Sequence, residues 1–206
     1  MMYKLNNNNL HISEGNNKLG NIENFNLPPV LACCPEACKT CAKDCYALRY
    51  YKRWPNVKNA YNDNLATVKT DLKGFINFMI DYFNDINAPR LFRVHAAGDF
   101  FSVDYAKAWF EIIKASPNTR FLIYTKAYEN ISNIDFYTLQ NCALYLSEWP
   151  GLDIPKDLQK HYKIAYLNDW QRDLKTFENA FTCPGDCKAC KFECWRNNQN
   201  IRFDIH

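Results

Sequence analysis

The chain contains the same cysteine pattern twice, and this repeat constrains the fold more than any other feature of the sequence. The first run reads Cys34-Pro-Glu-Ala-Cys38-Lys-Thr-Cys41-Ala-Lys-Asp-Cys45-Tyr46, and the second reads Cys183-Pro-Gly-Asp-Cys187-Lys-Ala-Cys190-Lys-Phe-Glu-Cys194-Trp195. Eight of the ten cysteines fall in these runs, and Cys33 and Cys142 lie outside them. Four thiols so close in sequence can converge on one metal centre, so each run predicts a separate site.

Three kinds of cysteine chemistry are compatible with these runs. Cysteines separated by two and three residues are typical of 4Fe–4S clusters. Structural zinc usually takes two tight C-x-x-C pairs, whereas each run here has only one. Disulfides need an oxidising compartment, and the first residues lack the apolar segment of a secretory signal. The runs therefore favour two iron–sulfur clusters and a cytoplasmic location, with zinc as the alternative.

Length and composition indicate a globular protein. The hydrophobic fraction is 48%, and the formal net charge of +3 permits contact with nucleic acid without indicating it. No apolar run reaches the length of a membrane span, so we expect no membrane contact. The length predicts an α/β domain over residues 1–175, which includes the first cysteine run, and a metal-binding lobe over residues 176–206.

Hydrophobic periodicity predicts alternating helices and strands. Apolar residues three and four positions apart between Leu65 and Ile86 indicate one long helix, and Ser102 can cap another. Short apolar runs indicate strands over residues 27–32, 91–97, 120–125, 142–147 and 163–167. Such alternation predicts a parallel sheet with helices outside, closed or half-closed into a partial (β/α) barrel.

Residues with useful chemistry follow four of the predicted strands. In parallel α/β sheets, ligands bind beyond the carboxyl ends of the strands. The first cysteine run, Gly98-Asp99, Thr125-Lys126 and Ser147-Glu148 follow or end the first four predicted strands. These features should therefore meet at one rim of the sheet.

Strand alternation adds two residues to this predicted site. It places Arg93 and His95 on the same face of the second strand, where they would line a polar pocket. The alternative is that His95 is a hydrogen-bonded core histidine and that Arg93 pairs with a carboxylate such as Asp99. The predicted cofactor- or substrate-binding residues are Arg93, His95, Gly98, Asp99, Lys126 and Ser147.

The segment Arg49-Tyr50-Tyr51-Lys52-Arg53-Trp54 interleaves cations with aromatic residues. Such a segment can stack on bases and neutralise phosphates. It can equally form an amphipathic cover over a buried cluster, and we favour this second interpretation from the sequence.

Several separated motifs, in this order, resemble those of the phage gene product 88 family. They are Ser13-x-Gly15-Asn16-x-Lys18-Leu19-Gly20, Cys34-Pro35, Cys45-Tyr46-Ala47, Arg93-Val94-His95-x-x-Gly98-Asp99-Phe100, Tyr124-Thr125-Lys126, Ser147-x-Trp149-Pro150-Gly151 and Cys194-Trp195. The resemblance covers nearly the whole chain. It implies a bacteriophage or related mobile element, and hence the host cytosol, but it does not imply a reaction.

A more distant resemblance is to the partial barrels of radical S-adenosylmethionine enzymes. The spacing Cys34-x3-Cys38-x2-Cys41 is similar to their cluster loop, in which three cysteines hold a 4Fe–4S cluster and the open iron chelates the cofactor. Gly98-Asp99 falls where those enzymes hold the amino group of the cofactor, although Ala97-Gly98-Asp99 replaces the usual Gly-Gly-Glu. The second cysteine run would match the auxiliary clusters of some relatives.

The chain departs from that resemblance at Cys45, which could bind the fourth iron and close the first cluster. Cys194 occupies the same place in the second run, so we expect all four cysteines of each run to be ligands. The predicted protein is a cytoplasmic iron–sulfur protein with redox or radical-type chemistry at the rim, acting on a small-molecule or macromolecular substrate. The rival is a non-enzymatic zinc protein that binds nucleic acid or a host protein.

Overall fold

A computed structural model describes residues 1–5, 8–30, 33–37, 39–168 and 179–204, and it shows a mixed α/β fold built on one nine-stranded sheet. Cys38 of the first cysteine run lies outside the described residues. The strands are β1 (Met2–Leu5), β2 (Asn8–Ser13), β3 (Glu23–Phe25), β4 (Leu91–Val94), β5 (Arg120–Thr125), β6 (Cys142–Ser147), β7 (Lys163–Asn168), β8 (Ala180–Thr182) and β9 (Asn200–Asp204).

The sheet is mostly parallel. Its strand order is β1-β2-β3-β4-β5-β6-β7-β9-β8. The pairs β1–β2 and β2–β3 are antiparallel, and all the other pairs are parallel. Strands β3 to β7 lie side by side in sequence order and run parallel, so their carboxyl ends lie along one edge of the sheet.

Seven α-helices accompany the sheet in the described ranges, with 3-10 helices at Phe136–Thr138 and Glu193–Arg196. The α-helices are α1 (Lys39–Lys43), α2 (Tyr46–Arg53), α3 (Pro55–Thr70), α4 (Leu72–Asn84), α5 (Val103–Lys114), α6 (Tyr128–Ile131) and α7 (Lys156–Gln159). The predicted cap of α5 is confirmed, since the Ser102 hydroxyl accepts a hydrogen bond from the Tyr105 amide at 3.2 Å. The predicted long helix over 65–86 is divided at Asp71, which caps α4 by accepting from the Gly74 amide at 2.8 Å.

The predicted strands over 120–125 and 142–147 are confirmed as β5 and β6, and the first two predicted strands need correction. Residues 27–30 of the predicted strand over 27–32 are not in a strand, because Pro28 and Pro29 have no amide hydrogen to donate to a sheet, and residues 31–32 lie outside the described residues. The strand that precedes this segment is β3 (Glu23–Phe25). The second strand ends at Val94, because His95 adopts a left-handed conformation with φ of 60°.

The two faces of the sheet are buried differently. On one face, Phe92 and Phe121 pack against Phe83 of α4 and Trp109 of α5 in a large aromatic core. The opposite face carries a smaller hydrophobic cluster around Trp195. That cluster contains strand residues and second-run cysteines: Leu122, Ala143, Tyr145, Ala165, Ile201, Cys187 and Cys194. The second cysteine run therefore covers the sheet face that the helical core leaves open.

The described residues of the predicted C-terminal lobe contribute β8 and β9, so they share the sheet with the rest of the chain. No helix in the described ranges combines the length and the apolar character that crossing a bilayer requires.

The aromatic core supplies a test of the fold. Replacing Phe83 by Ala removes a fully buried ring that lies 4.8 Å from each of the Phe92 and Phe121 rings. We expect this change to lower the free energy of unfolding by about 3–5 kcal/mol, measured by urea denaturation. Ile86→Ala is the control, because Ile86 is 96% exposed and should change stability by less than about 0.5 kcal/mol. Similar losses in the two variants would contradict the packing.

Candidate functional site

The turn after β4 forms the centre of the sheet edge at which the parallel strands end. The Asn26 side-chain oxygen accepts hydrogen bonds from the amides of Ala96 and Ala97 at 2.9 and 3.0 Å. Gly98 has φ of 82°, and a Cβ atom there would lie 2.6 Å from the Leu27 Cβ. Glycine is thus required at this position by both backbone conformation and close approach of the β3 segment.

Asp99 is buried at this edge and joins three parts of the chain. Its carboxylate accepts hydrogen bonds from the Thr125 hydroxyl at 2.6 Å, the Lys126 amide at 2.8 Å and the Phe100 amide at 2.8 Å. Its own amide donates to the Cys33 carbonyl at 2.9 Å. Burial raises the pKa of Asp99, and the hydrogen bonds and nearby Lys126 oppose that rise. The predicted meeting of Gly98-Asp99 and Lys126 at one edge is therefore observed.

The first cysteine run lies beside Asp99. The Cys34 sulfur accepts a hydrogen bond from the Val30 amide at 3.2 Å. Burial raises the pKa of Cys34 to about 12, with further contributions from Asp99, Cys33 and Cys45. Cys45 caps α2, where its sulfur accepts from the Leu48 amide at 3.4 Å. We call the group formed by Cys34, Cys45, Asp99 and Lys126 the rim site.

The prediction that Arg93 and His95 share a face is wrong. The left-handed φ of His95 reverses the strand alternation, so its ring turns into the aromatic core against Phe100 and Trp109. Its Nε2 atom is 2.8 Å from the Tyr105 hydroxyl, and its Nδ1 atom is buried without a hydrogen-bond partner. Burial, reinforced by Arg93, lowers the pKa of His95 to about 3, so the ring is neutral. His95 is a core histidine, as the alternative interpretation held.

Arg93 points to the opposite face of the sheet. Its guanidinium carbon lies 4.9 Å from the centre of the Tyr124 ring, and its Nε atom is buried without a hydrogen-bond partner. It pairs with neither Asp99 nor any other carboxylate among the described residues. Arg93 instead influences Cys187, whose pKa it lowers.

The remaining predicted site residues stay at the sheet edge. The Lys126 ammonium lies 4.8 Å from the centre of the Trp149 ring, a cation–π contact that holds it beside β6. Ser147 takes part through its backbone, because its carbonyl accepts a hydrogen bond from the Tyr128 hydroxyl at 2.6 Å. Tyr128, which the sequence did not indicate, thereby links the edges of β5 and β6.

The second cysteine run is folded into tight turns over the opposite sheet face. Lys191, Phe192 and Asn197 have positive φ values of 53°, 61° and 52°, which non-glycine residues seldom adopt. The Cys187 amide donates to the Lys18 carbonyl at 3.0 Å, and the Cys194 carbonyl accepts from the Tyr145 hydroxyl at 3.0 Å. These bonds attach the run both to the N-terminal segment and to β6.

The four thiols of this run lie close enough to influence one another. Burial and, to a smaller extent, the neighbouring thiols, including Cys183 and Cys190, together raise the pKa values of Cys187 and Cys194 to about 11. The Tyr124 hydroxyl lies beside Cys194 and lowers its pKa. We call Cys183, Cys187, Cys190 and Cys194 the lobe site.

Neither cysteine run forms a completed ligand set in the described residues. There, no group of three or more histidine, cysteine, aspartate or glutamate side chains could hold a metal ion as arranged. All nine described cysteines are free thiols, so none of them is joined in a disulfide. The free thiols leave metal binding by these loops a prediction.

Comparison with known proteins identifies relatives. Residues 2–149 match the family described as gene product 88. The chain belongs to this family. It is 32% identical over 193 residues to the gene 88 protein of Mycobacterium phage L5, covering 87% of this chain and 81% of that protein. It is 30% identical over 194 residues to the gene 88 protein of Mycobacterium phage D29, covering 85% and 78%. No solved structure matches the chain.

The range that matches the gene product 88 family contains the first cysteine run and every residue of the rim site, and it ends before the lobe site. Asn26 and Tyr124, which support these sites, lie in the matched range, but Asn26 carried no signal in the sequence and Tyr124 stood in a family motif without an assigned role. Asn26 was one asparagine among many, and Tyr124 meets Cys194 only through the fold.

The buried His95 ring predicts a dependence of stability on pH. Its pKa is about 3 in the folded protein and about 6.5 in the unfolded chain, so only the unfolded chain takes up a proton between these values. Its contribution is complete above about pH 6.5 and is lost as the pH falls. Relative to a His95→Asn variant, the protein should lose about 2 kcal/mol more unfolding free energy between about pH 7.5 and about pH 5.

Asn is the matched replacement because it tolerates the left-handed backbone at this position. The other histidines are common to both proteins, so their effects cancel in the difference. Stability should be measured by urea denaturation at each pH. If the unaltered protein and the His95→Asn variant lost the same unfolding free energy between these pH values, His95 would take up its proton in the folded protein, contrary to the prediction.

Proposed function

We propose that this gene product 88 family member is an iron–sulfur protein with a thiolate-ligated cluster at each cysteine run and redox or radical-type chemistry at the rim. One observation carries the proposal: the free thiols of the second run lie near enough to raise the pKa values of Cys187 and Cys194, on a sheet face that also holds a buried guanidinium nitrogen without a hydrogen-bond partner. A cysteine that is not joined in a disulfide can lose its proton and become a thiolate, which is the form that binds iron or zinc. Neighbouring free thiols are therefore suitable ligands for such a metal.

The lobe site fits such a centre by its donors and its surroundings. Cys183, Cys187, Cys190 and Cys194 would be the ligands. The raised pKa values of Cys187 and Cys194 mean that protons must leave these thiols when metal binds, so affinity should rise with pH. Arg93 would offset the negative charge of the thiolates, and Tyr124 can donate a hydrogen bond to Cys194. Because metal binding is coupled to folding in cysteine loops, the final closing of the thiols would accompany binding.

A second centre would be held by Cys34, Cys38, Cys41 and Cys45, next to the rim site. Iron–sulfur clusters transfer single electrons, and those with an open iron support radical chemistry with S-adenosylmethionine. Lys126 would orient a substrate or cofactor there, the buried Asp99 would hold the turn in place, and Gly98 would let the backbone come close. We interpret strands β3 to β7, which follow one another in the sheet in sequence order, as the wall of a partial (β/α) barrel whose open edge is this rim.

A zinc protein that binds nucleic acid or a host protein is the alternative to this assignment. Zinc would use the same sulfur donors and would make the sites structural. The two possibilities differ in absorption, since iron–sulfur clusters colour the protein brown whereas zinc has a filled d shell and gives no visible band.

Changing Cys187 to Ser should remove about half of the iron, because each run binds its own centre. The protein should be purified without oxygen, and iron, sulfide and zinc should be measured per chain. Cys142→Ser is the matched control, since Cys142 is also buried but lies outside both runs. It should keep the full metal content. Zinc without iron in the unaltered protein would favour the alternative, and unchanged iron in Cys187→Ser would refute the lobe site.

Changing Cys45 to Ala should abolish the first cluster, because we expect all four cysteines of the first run to be ligands. Loss of the cap on α2 would also destabilise the helix by about 1 kcal/mol. Cys45→Ser separates the two effects, since serine can accept the bond from the Leu48 amide but is a poor ligand for iron. A cluster retained in Cys45→Ala, with S-adenosylmethionine binding by the unaltered protein, would instead indicate an open iron.

A further inference from the structure

Helix α2 presents an exposed stripe of alternating aromatic rings and arginines. Tyr46, Arg49, Tyr50, Arg53 and Trp54 recur three and four positions apart, so they lie on one side of the helix and at its end. This spacing normally marks a buried face. Here Tyr46, Tyr50 and Trp54 are 50%, 57% and 46% exposed, whereas Ala47 of the same helix is buried. The rings therefore do not pack into the core, and the interpretation of this segment as the cover of a buried cluster stays a prediction.

Positive charge is concentrated in the same segment of the chain. Between Asp44 and Asp63 there are four cations, Arg49, Lys52, Arg53 and Lys58, and no acidic residue. All four are exposed, and within the described ranges none of them has an ion-pair partner. Four uncompensated cations are more than the formal net charge of +3 of the whole chain.

The stripe is also held in place. The Tyr46 hydroxyl donates a hydrogen bond to the Ala96 carbonyl at 2.5 Å, which fixes this ring against the turn that carries Gly98 and Asp99. The Arg53 guanidinium carbon lies 5.2 Å from the centre of the Trp54 ring. Preordered rings lose little conformational entropy when a ligand stacks on them.

We infer that this stripe binds single-stranded nucleic acid across the rim of the sheet. Rings one helical turn apart offer stacking faces for unpaired bases, and the arginines between them can contact the intervening phosphates. A duplex would offer its phosphates but not the faces of its bases. A membrane surface fits less well, because a helix that lies in a bilayer keeps its cations off the apolar face, and here cations and rings alternate on one face.

Fluorescence anisotropy with labelled oligothymidylate and oligouridylate of about 20 nucleotides would test this inference. At about 0.15 M salt, Arg49→Glu/Arg53→Glu should weaken binding at least tenfold and reduce the slope of log affinity against log salt by about 1.4, as expected for two lost phosphate contacts. Tyr50→Ala/Trp54→Ala should also weaken binding at least tenfold while leaving the salt slope almost unchanged.

The matched control is Lys107→Glu/Lys114→Glu on the exposed side of α5, which changes the net charge by the same amount. It should change affinity less than twofold. Equal weakening by the two charge reversals, binding of a duplex of the same sequence as tightly as the single strand, or binding only to vesicles of anionic lipid would each overturn the inference. None of the substituted residues is a proposed ligand, so iron content tests the iron–sulfur assignment separately.

Discussion

The buried carboxylate of Asp99 joins the segments that form the rim. Its three accepted hydrogen bonds fix the ends of β4 and β5, and its amide holds the loop that leads into the first cysteine run. Burying a carboxylate costs free energy unless hydrogen-bond donors surround it. Only the conformation that brings all three donors to Asp99 avoids this cost, so the carboxylate specifies the turn more narrowly than apolar packing alone would. Gly98 makes the turn possible, because no side chain fits between it and Leu27.

Much of the fold followed from the sequence because the long apolar runs left few alternatives. β5 and β6 occur where their apolar residues indicated, and the features that follow the strands meet at one edge because parallel strands share an edge. The first strand was misplaced because Glu23–Phe25 is too short and too polar to be recognised, whereas the neighbouring apolar segment contains two prolines.

The candidate functional site was harder to predict because the backbone angle φ of one residue, His95, decides which side chains reach it. Side chains alternate between the two faces of a sheet only while the backbone remains in the β region. The sequence contains no pattern that predicts a left-handed backbone conformation at a histidine. That one angle sends His95 into the helical core and leaves Arg93 alone on the opposite face. Tyr124 and Cys194 are also far apart in sequence, so their contact depends on the complete sheet order.

The position of Arg93 then connects the fold with the chemistry of the lobe site. A guanidinium remains charged at any ordinary pH, and partial burial without a carboxylate partner is unfavourable. The contact with the Tyr124 ring compensates for only part of this cost. The neighbouring thiols are neutral near pH 7, since the pKa values of Cys187 and Cys194 are about 11. If the lobe binds a metal as proposed, deprotonated thiolates around it would supply the missing negative charge beside Arg93.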